Sequence, residues 1–434
     1  MRDKSTLEYL ESLRTLGSNY GLERTERLLE LIGNPHKKLK LIHIAGTNGK
    51  GSTSAILGEI LIEHGYKIGF FNSPHLEDIE ETIRINNENI KEEDFVDLIN
   101  EIKPFVEQVV EEGFNHPTEF EVLTCIMFLY LYRQDIDFGI IEVGLGGRLD
   151  STNVLTPILS IITSISLDHT NILGNTLQEI TKEKSGIIKK NIPIITCMQK
   201  DESMKVITEA AIKSGSDLVI INPNSYKFLN MDNDTIITQR VLVNLKGKEE
   251  VLNLSLLGTH QIINLSLALE ALKELEALNY IEIDIEKIKV ATKKVKWKGR
   301  LEILNKNPYI VIDGAHNVDG IKFLKGNLNN YFKYKNLYLI LGILADKEVE
   351  KMLEIIAPLA KEVYTVTPNS IRAKSFDELR VLSEEYNKNS FGFDNYEEAV
   401  KHALKKASDE DLILACGSLY MIGNIRGIFN KVTK

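Results

Sequence analysis

Ala45-Gly46-Thr47-Asn48-Gly49-Lys50-Gly51-Ser52 is the stretch on which the reading of this chain turns. The apolar run Lys40–Ala45 precedes it, and a helix pattern from about Ser52 to His64 follows it. Strand, glycine-rich turn and helix are the context a phosphate-binding loop needs. The glycines allow a tight turn that aims backbone N–H groups at phosphate oxygens. The helix adds its positive end. Lys50 reaches terminal phosphates, and Ser52 offers a hydroxyl to phosphate or metal. The spacing departs from the common pattern, with two residues instead of four between the first glycine and Gly-Lys. A tight turn with a chance lysine is the alternative, and three glycines around one lysine in the correct context argue against it.

Outward from the loop, apolar strands alternate with helices. The strands are Lys67–Phe71, Asp137–Val143, Ile158–Thr163 and Pro193–Thr196; the helices lie near Glu119–Arg133 and Leu177–Lys189. Strands that are apolar throughout predict a parallel sheet covered on both faces. Two amphipathic helices, Thr6–Leu13 and Glu23–Ile32, come first. Between about Asn224 and Leu257, short runs such as Thr235–Asn244 and Val251–Leu256 predict antiparallel strands at a sheet edge. A helix from about Gln261 to Leu278 and a basic linker, Lys293–Gly299, lead to a second alternation with strands Tyr309–Ile312, Asn336–Leu341, Glu362–Thr367 and Asp411–Ala415. The fold class is therefore α/β: a P-loop-type, mostly parallel nucleotide-binding domain over 1–297 and a smaller Rossmann-like α/β domain over 298–434.

Composition narrows the function. A chain of 434 residues, 43% hydrophobic and 26% charged, is that of a soluble globular protein. No run reaches the ~18–20 apolar residues of a membrane span, and the first residues start no signal peptide. The three cysteines, Cys125, Cys197 and Cys416, lie far apart in apolar runs and read as buried thiols of a reducing, cytoplasmic compartment. A net charge of −10 argues against nucleic acid as the main partner. Anionic substrates would need local positive charge from loop amides, a few Lys and Arg, and divalent metal.

Several residues are candidates for that chemistry. Glu142 ends a strand and runs into Gly144-Leu-Gly-Gly-Arg-Leu-Asp150, where an acid faces the ligand crevice. It suits Mg²⁺, which takes one or two carboxylates plus phosphate oxygens; an exposed strand-end acid is the plainer reading. Asp168-His169 is a weak signal by itself, since a lone loop His is commonly a solvated polar residue. Thr181-Lys-Glu-Lys-Ser-Gly186 reads either as a solvated helix face or as presenting Lys184 to a site, neutral enough to form a carbamate with CO₂. Ser73-Pro-His75 is a turn or supplies a hydroxyl to metal. Asp313-Gly-Ala-His-Asn317 suits contact with a nucleotide or phosphate, or is a helix-capping turn.

Ten segments in order, covering nearly the whole chain, resemble the folylpolyglutamate synthase/dihydrofolate synthase family of the Mur ligase superfamily. They are His43–Ser52, Ser73–His75, Ile83-Arg-Ile-Asn86, Glu142–Asp150, Asp168-His169, Glu183–Ile187, Gly258–Gln261, Trp297–Glu302, Asp313–Asn317 and Cys416–Tyr420. The resemblance implies ATP phosphates on Gly46, Thr47, Asn48, Gly49, Lys50, Gly51 and Ser52, with further ATP contacts from Asn264, Arg300 and Asp313. It implies one Mg²⁺ on Ser73 and Glu142, a second on His169, a carbamylated Lys184, and His316 beside the reacting phosphate. It assigns the pteroate part to Thr118, Glu119, Phe120, Glu121, Leu149, Asp150 and Ser151. The implied activity is ATP-dependent addition of L-glutamate to folates or to 7,8-dihydropteroate through an acyl phosphate, by a monomer without nucleic-acid or membrane partners. Departures are Glu81-Thr82 where Glu-Arg is frequent, Lys298 in place of Pro, and Ser185 in place of Ala. Only 45 residues precede Gly46, too few for the nucleotide-sugar domain of cell-wall ligases. The rivals are a Mur-type ligase with another small acceptor, a small-molecule kinase, and a nucleotide-binding regulatory module without turnover.

Overall fold

The computed structural model describes residues 4–14, 21–232 and 237–432. It divides into two compact units: 1–226 with 263–292, and 227–262 with 293–434.

The first unit is built on an eight-stranded sheet of order β4-β3-β2-β5-β1-β6-β7-β8. Its strands are β1 (Leu41–Ala45), β2 (Ile68–Phe71), β3 (Ile83–Ile85), β4 (Glu88–Asn89), β5 (Phe138–Glu142), β6 (Leu159–Ile162), β7 (Ile194–Thr196) and β8 (Leu218–Ile220). All pair in parallel except β3 and β4, which turn back antiparallel at one edge. Every residue of β1, β2 and β5 is buried, which is why these strands read as unbroken apolar runs instead of alternating ones. β1 lies between β5 and β6, so the chain leaving it enters the crevice where the connections part to either side.

Helices cover the sheet. α1 (Lys4–Arg14), α2 (Glu23–Leu31), α4 (Glu92–Glu111) and α5 (Glu119–Arg133) share one core with β1, β2 and β5, whereas α3 (Lys50–Glu63) follows the phosphate loop. α5 begins in a capping box: the Thr118 hydroxyl accepts from the Glu121 amide, and the Glu121 carboxylate accepts from the Thr118 amide at 2.7 Å. The same carboxylate is gripped by Arg24 of α2, at 3.2 Å from Nε and 2.8 Å from Nη2, and both residues are buried. Removing one partner of such a pair strands a buried charge, at about 3–5 kcal/mol. Arg24→Met should therefore lower the melting temperature by several degrees, while Arg24→Met with Glu121→Leu should recover part of the loss. Calorimetry checks this, and a single variant as stable as the parent would show the pair contributes nothing.

After α6 (Thr170–Leu173), α7 runs only from Leu177 to Lys184; a 3₁₀ turn to Ile187 replaces the longer helix expected to Lys189. In that turn a Cβ on Gly186 would meet the Arg148 backbone at 2.4 Å, so the chain passes close to the segment after β5.

The second unit holds two sheets. β9 (Tyr226–Asp232), β10 (Thr238–Leu245) and β11 (Lys248–Leu254) form a separate sheet of order β11-β10-β9, with β10 and β11 antiparallel. These strands were expected at the edge of a larger sheet, and that expectation is corrected: they pair only with one another, in a three-stranded sheet of their own. Part of the expected strand from Thr235 falls outside the described residues. The other sheet has the order β12-β13-β17-β14-β15-β16. Its strands are β12 (Glu302–Lys306), β13 (Tyr309–Ile312), β14 (Leu337–Leu341), β15 (Glu362–Thr365), β16 (Ser390–Gly392) and β17 (Leu412–Cys416), parallel except for β12. All three cysteines are buried free thiols, and among the described residues no helix is long and apolar enough to cross a membrane.

Candidate active site

β1 ends at Ala45 and α3 begins at Lys50, so residues 46–49 make the whole turn. Gly46 and Gly49 have φ of 149° and 96°. A Cβ would lie 1.8 Å from Thr163 Oγ1 at Gly46 and 2.3 Å from Asn264 Oδ1 at Gly49, so both positions need glycine for space as well as for conformation. The loop is clamped to the segment after β6. The Thr47 and Asn48 amides donate to Ser164 O at 2.9 and 3.2 Å, and the Thr47 hydroxyl donates to Ser166 O at 3.1 Å. Two of the expected phosphate donors are thus directed at the protein itself. α3 starts at the end of this turn, and a helix start favours an anion.

Three charged side chains converge on this turn. Lys50 Nζ lies 3.3 Å from Gly46 O, 3.4 Å from Thr47 O and 3.7 Å from Glu142 Oε1. Lys184 donates to Gly46 O at 2.9 Å and is buried. Burial first, and the Lys50 charge second, bring its pKa down to about 7, against the pull of Asp168 and Asp150. Glu142, also buried, accepts from Asn72 Nδ2 at 2.9 Å.

The glycine-rich segment after β5 explains how Lys184 is held. A Cβ on Gly147 would stand 2.8 Å from Glu183 O and 2.9 Å from Lys184 O, and the Arg148 amide donates to Glu183 O at 2.8 Å. Asp150 folds this segment: Oδ2 accepts from the Leu145 amide at 2.8 Å, and Oδ1 from the Thr152 amide and hydroxyl at 3.0 and 2.5 Å. Burial pushes the Asp150 carboxyl up despite these bonds. Beneath it, His43 Nε2 pairs with Thr152 Oγ1 at 2.9 Å, and burial lowers His43 to about 3, so it is a neutral packing residue.

The remaining expected residues divide. Asn264 is brought to Gly49. Phe120 packs on Phe71 at 5.7 Å and fills the space above Gly144. Leu149 is half-buried and Ser151 buried beside Asp150, Glu119 is half-buried, and Ser73 is half-buried after β2. Thr118 and Glu121 are engaged in the cap and the ion pair with Arg24. His169 adopts φ of 50° at the start of α6, its amide donating to Asp168 Oδ1 at 2.8 Å. Among the described residues there is no cluster of three His, Cys, Asp or Glu side chains able to hold a metal.

In the second unit, Asp313 follows β13 and is buried; its oxygens accept from the Leu301 and Ala315 amides at 2.7 and 2.8 Å. Arg300 lies over Gly314, where a Cβ would be 1.9 Å from its Nη1. His316 Nδ1 is 2.8 Å from Gly314 O, and Asn317 caps the helix Val318–Tyr331. Arg300, which precedes β12, is therefore brought against the turn after β13 that carries Asp313 and His316. Asn72 was missed in the sequence, where one asparagine before Ser-Pro carries no signal of its own.

A glycine turn into a helix with a converging lysine pair and acid suits a bound phosphate, and two domain families give the class. The Mur ligase middle domain matches residues 44–272, and the Mur ligase glutamate ligase domain matches 299–419. The chain is 36% identical over 414 residues to the dihydrofolate synthase/folylpolyglutamate synthase of Bacillus subtilis, covering 94% of this chain and 95% of that one. The structure of a folylpolyglutamate synthase from Thermotoga maritima matches with a TM-score of 0.84 at 35% identity, over 99% and 97% of the two chains. That of the Mycobacterium tuberculosis folylpolyglutamate synthase, complexed with ADP and AMPPCP, matches with a TM-score of 0.88 at 27% identity, over 98% and 99%. The fold and the site are those of an ATP-dependent acid–amino-acid ligase. The chain belongs to the folylpolyglutamate synthase/dihydrofolate synthase family of the Mur ligase superfamily.

Proposed function

We propose that the enzyme adds L-glutamate to a folate, to 7,8-dihydropteroate, or to both, in the cytoplasm and as a monomer. The observation that carries this reading is the approach of Lys50 and Lys184 to the carbonyl of Gly46 in a chain of this family. ATP-dependent glutamate addition to folate or dihydropteroate is the activity of that family. We assign the ATP-binding part to residues 1–297 and the ligase part to 298–434.

In the reaction, the acceptor carboxylate attacks the γ-phosphorus of ATP; a P–O bond forms, the bond to ADP breaks, and an acyl phosphate results. Glutamate's amine then attacks the acyl carbon, the C–N bond forms, phosphate leaves with the C–O electron pair, and the amine's proton passes to solvent. Carboxylate and phosphate repel, so Lys50 must neutralise their approach. Positioning supplies much of the rest. Asn264, Arg300 and Asp313 are assigned to ATP, and His316 to the reacting phosphate. Thr118, Glu119, Phe120, Glu121, Leu149, Asp150 and Ser151 are assigned to the pteroate; Glu121 and Asp150 also shape the segments that hold it.

The donor set suits magnesium, because one buried carboxylate, Glu142, next to a phosphate loop leaves further ligands to phosphate oxygens and water. Ser73 and Glu142 would hold one ion and His169 a second; bound with ATP, magnesium supplies charge neutralisation. A buried lysine lowered to about 7 supports a carbamate on Lys184.

Incubation with ATP, Mg²⁺, glutamate and either dihydropteroate or tetrahydrofolate should give ADP, phosphate and the glutamyl amide with at least one acceptor. A phosphorylated acceptor without amide would make the enzyme a kinase and overturn the reading. Parallel rates on the two acceptors decide between one activity and two.

A further inference from the structure

Arg84 lies in the Ile83–Asn86 segment, yet no role above accounts for it. It stands on β3, its guanidinium 4.5 Å over the Phe70 ring, and its Nη2 donates to Asn72 Oδ1 at 2.9 Å. An arginine only donates, so the Asn72 atom that faces it is the carbonyl oxygen. The amide nitrogen then faces the other way, donating to Glu142 Oε2 at 2.9 Å and to Ser54 Oγ at 3.2 Å. Asn72 is 4% exposed and Glu142 5%, so water competes little for these bonds. Burial lowers Arg84 to about 10 while Glu81, Glu142 and Glu59 oppose the fall, so it stays charged at neutral pH. Glu142 ends β5, whose neighbour β2 runs directly into Asn72. The terminal torsion of a glutamate is soft. Holding Oε2 through Asn72 leaves Oε1 as the oxygen turned to Lys50 and the phosphate loop.

We propose that Arg84 and Asn72 are positioning residues: Arg84 fixes the Asn72 amide, and the amide fixes the Glu142 carboxylate in the orientation that receives a divalent cation with ATP. This rests on the assignment of Glu142 to the metal. The test titrates Mn²⁺ into the enzyme with a non-hydrolysable ATP analogue, read by electron paramagnetic resonance. Asn72→Leu and Arg84→Met should weaken Mn²⁺ binding roughly tenfold or more, Arg84→Lys should restore most of it, and the KM for folate should stay near the parent's. Should Arg84→Met lose its native melting transition, Asn72→Leu decides alone, with Asn72→Ala as a less bulky repeat. Parental Mn²⁺ affinity in a folded Asn72 variant, alongside weakened binding in Glu142→Gln, overturns the positioning role and leaves the metal assignment standing. Parental affinity in Glu142→Gln removes the metal assignment, and this inference with it.

Discussion

Lys50→Ala is expected to abolish ATP-dependent glutamate addition while the protein stays folded. Lys50 opens α3, where alanine is at least as good a helix former. Its contacts are two loop carbonyls beyond 3.2 Å and a carboxylate at 3.7 Å, which are weak supports for the native structure. Its effect on the reaction is large for a different reason. The loop sits beside a buried acid, Glu142, and without Lys50 the γ-phosphate and the incoming carboxylate meet with less positive charge between them. Removing one such preorganised donor typically costs roughly 10²–10³ in kcat, and the lysine carries a full charge. Phosphate release with glutamate and folate measures the loss, and thermal unfolding establishes that the variant is folded. Near-normal turnover by a folded variant would sink the assignment of this loop to ATP. The same substitution has a second effect with a fixed sign. Lys50 is one of the charges that lower Lys184, so its removal should raise the Lys184 pKa.

Much of this site was legible because its parts are local in sequence. A strand, three glycines, a lysine and a helix start lie within a dozen residues, and backbone sterics alone force the turn. The parallel sheet was legible because β1, β2 and β5 are buried along their whole length, a pattern the residues carry themselves. What stayed hidden depends on partners far along the chain. Arg24 meets Glu121 across 97 positions, and Asn72 meets Glu142 across 70. Nothing in the local composition of either pair announces the other. The close approach of Gly186 to the Arg148 backbone is hidden in the same way, since only the fold brings the two together. The short strands β8 and β16 are three residues each, too short for an alternating pattern to show. Glu121 also has a structural duty that its neighbours do not announce, because its carboxylate is shared between a helix cap and the distant Arg24.

Lys184→Ala should cost most of the activity, and short carboxylates such as acetate or formate should restore part of it. A carbamate on Lys184 would place a small anion beside the loop, and a diffusible carboxylate can occupy the space that the truncated side chain leaves. Carbamate formation needs the neutral amine, which a pKa near 7 provides at physiological pH where an ordinary lysine would not. The pH dependence of the unmodified lysine has a definite sign. Its folded pKa lies below the unfolded value of 10.5, so the unfolded chain binds more protons between about pH 7 and 10.5. Stability from this group therefore rises with pH through that window, and the burial penalty is complete below about pH 7. In CO₂-free buffer, Lys184→Met should gain most in melting temperature relative to the parent near pH 6 and least near pH 10. Activity of Lys184→Ala equal to the parent's at ambient CO₂ would remove the carbamate role. A melting difference that does not change with pH would instead mean that Lys184 keeps an ordinary pKa, and the neutral amine on which carbamylation depends would be lost with it.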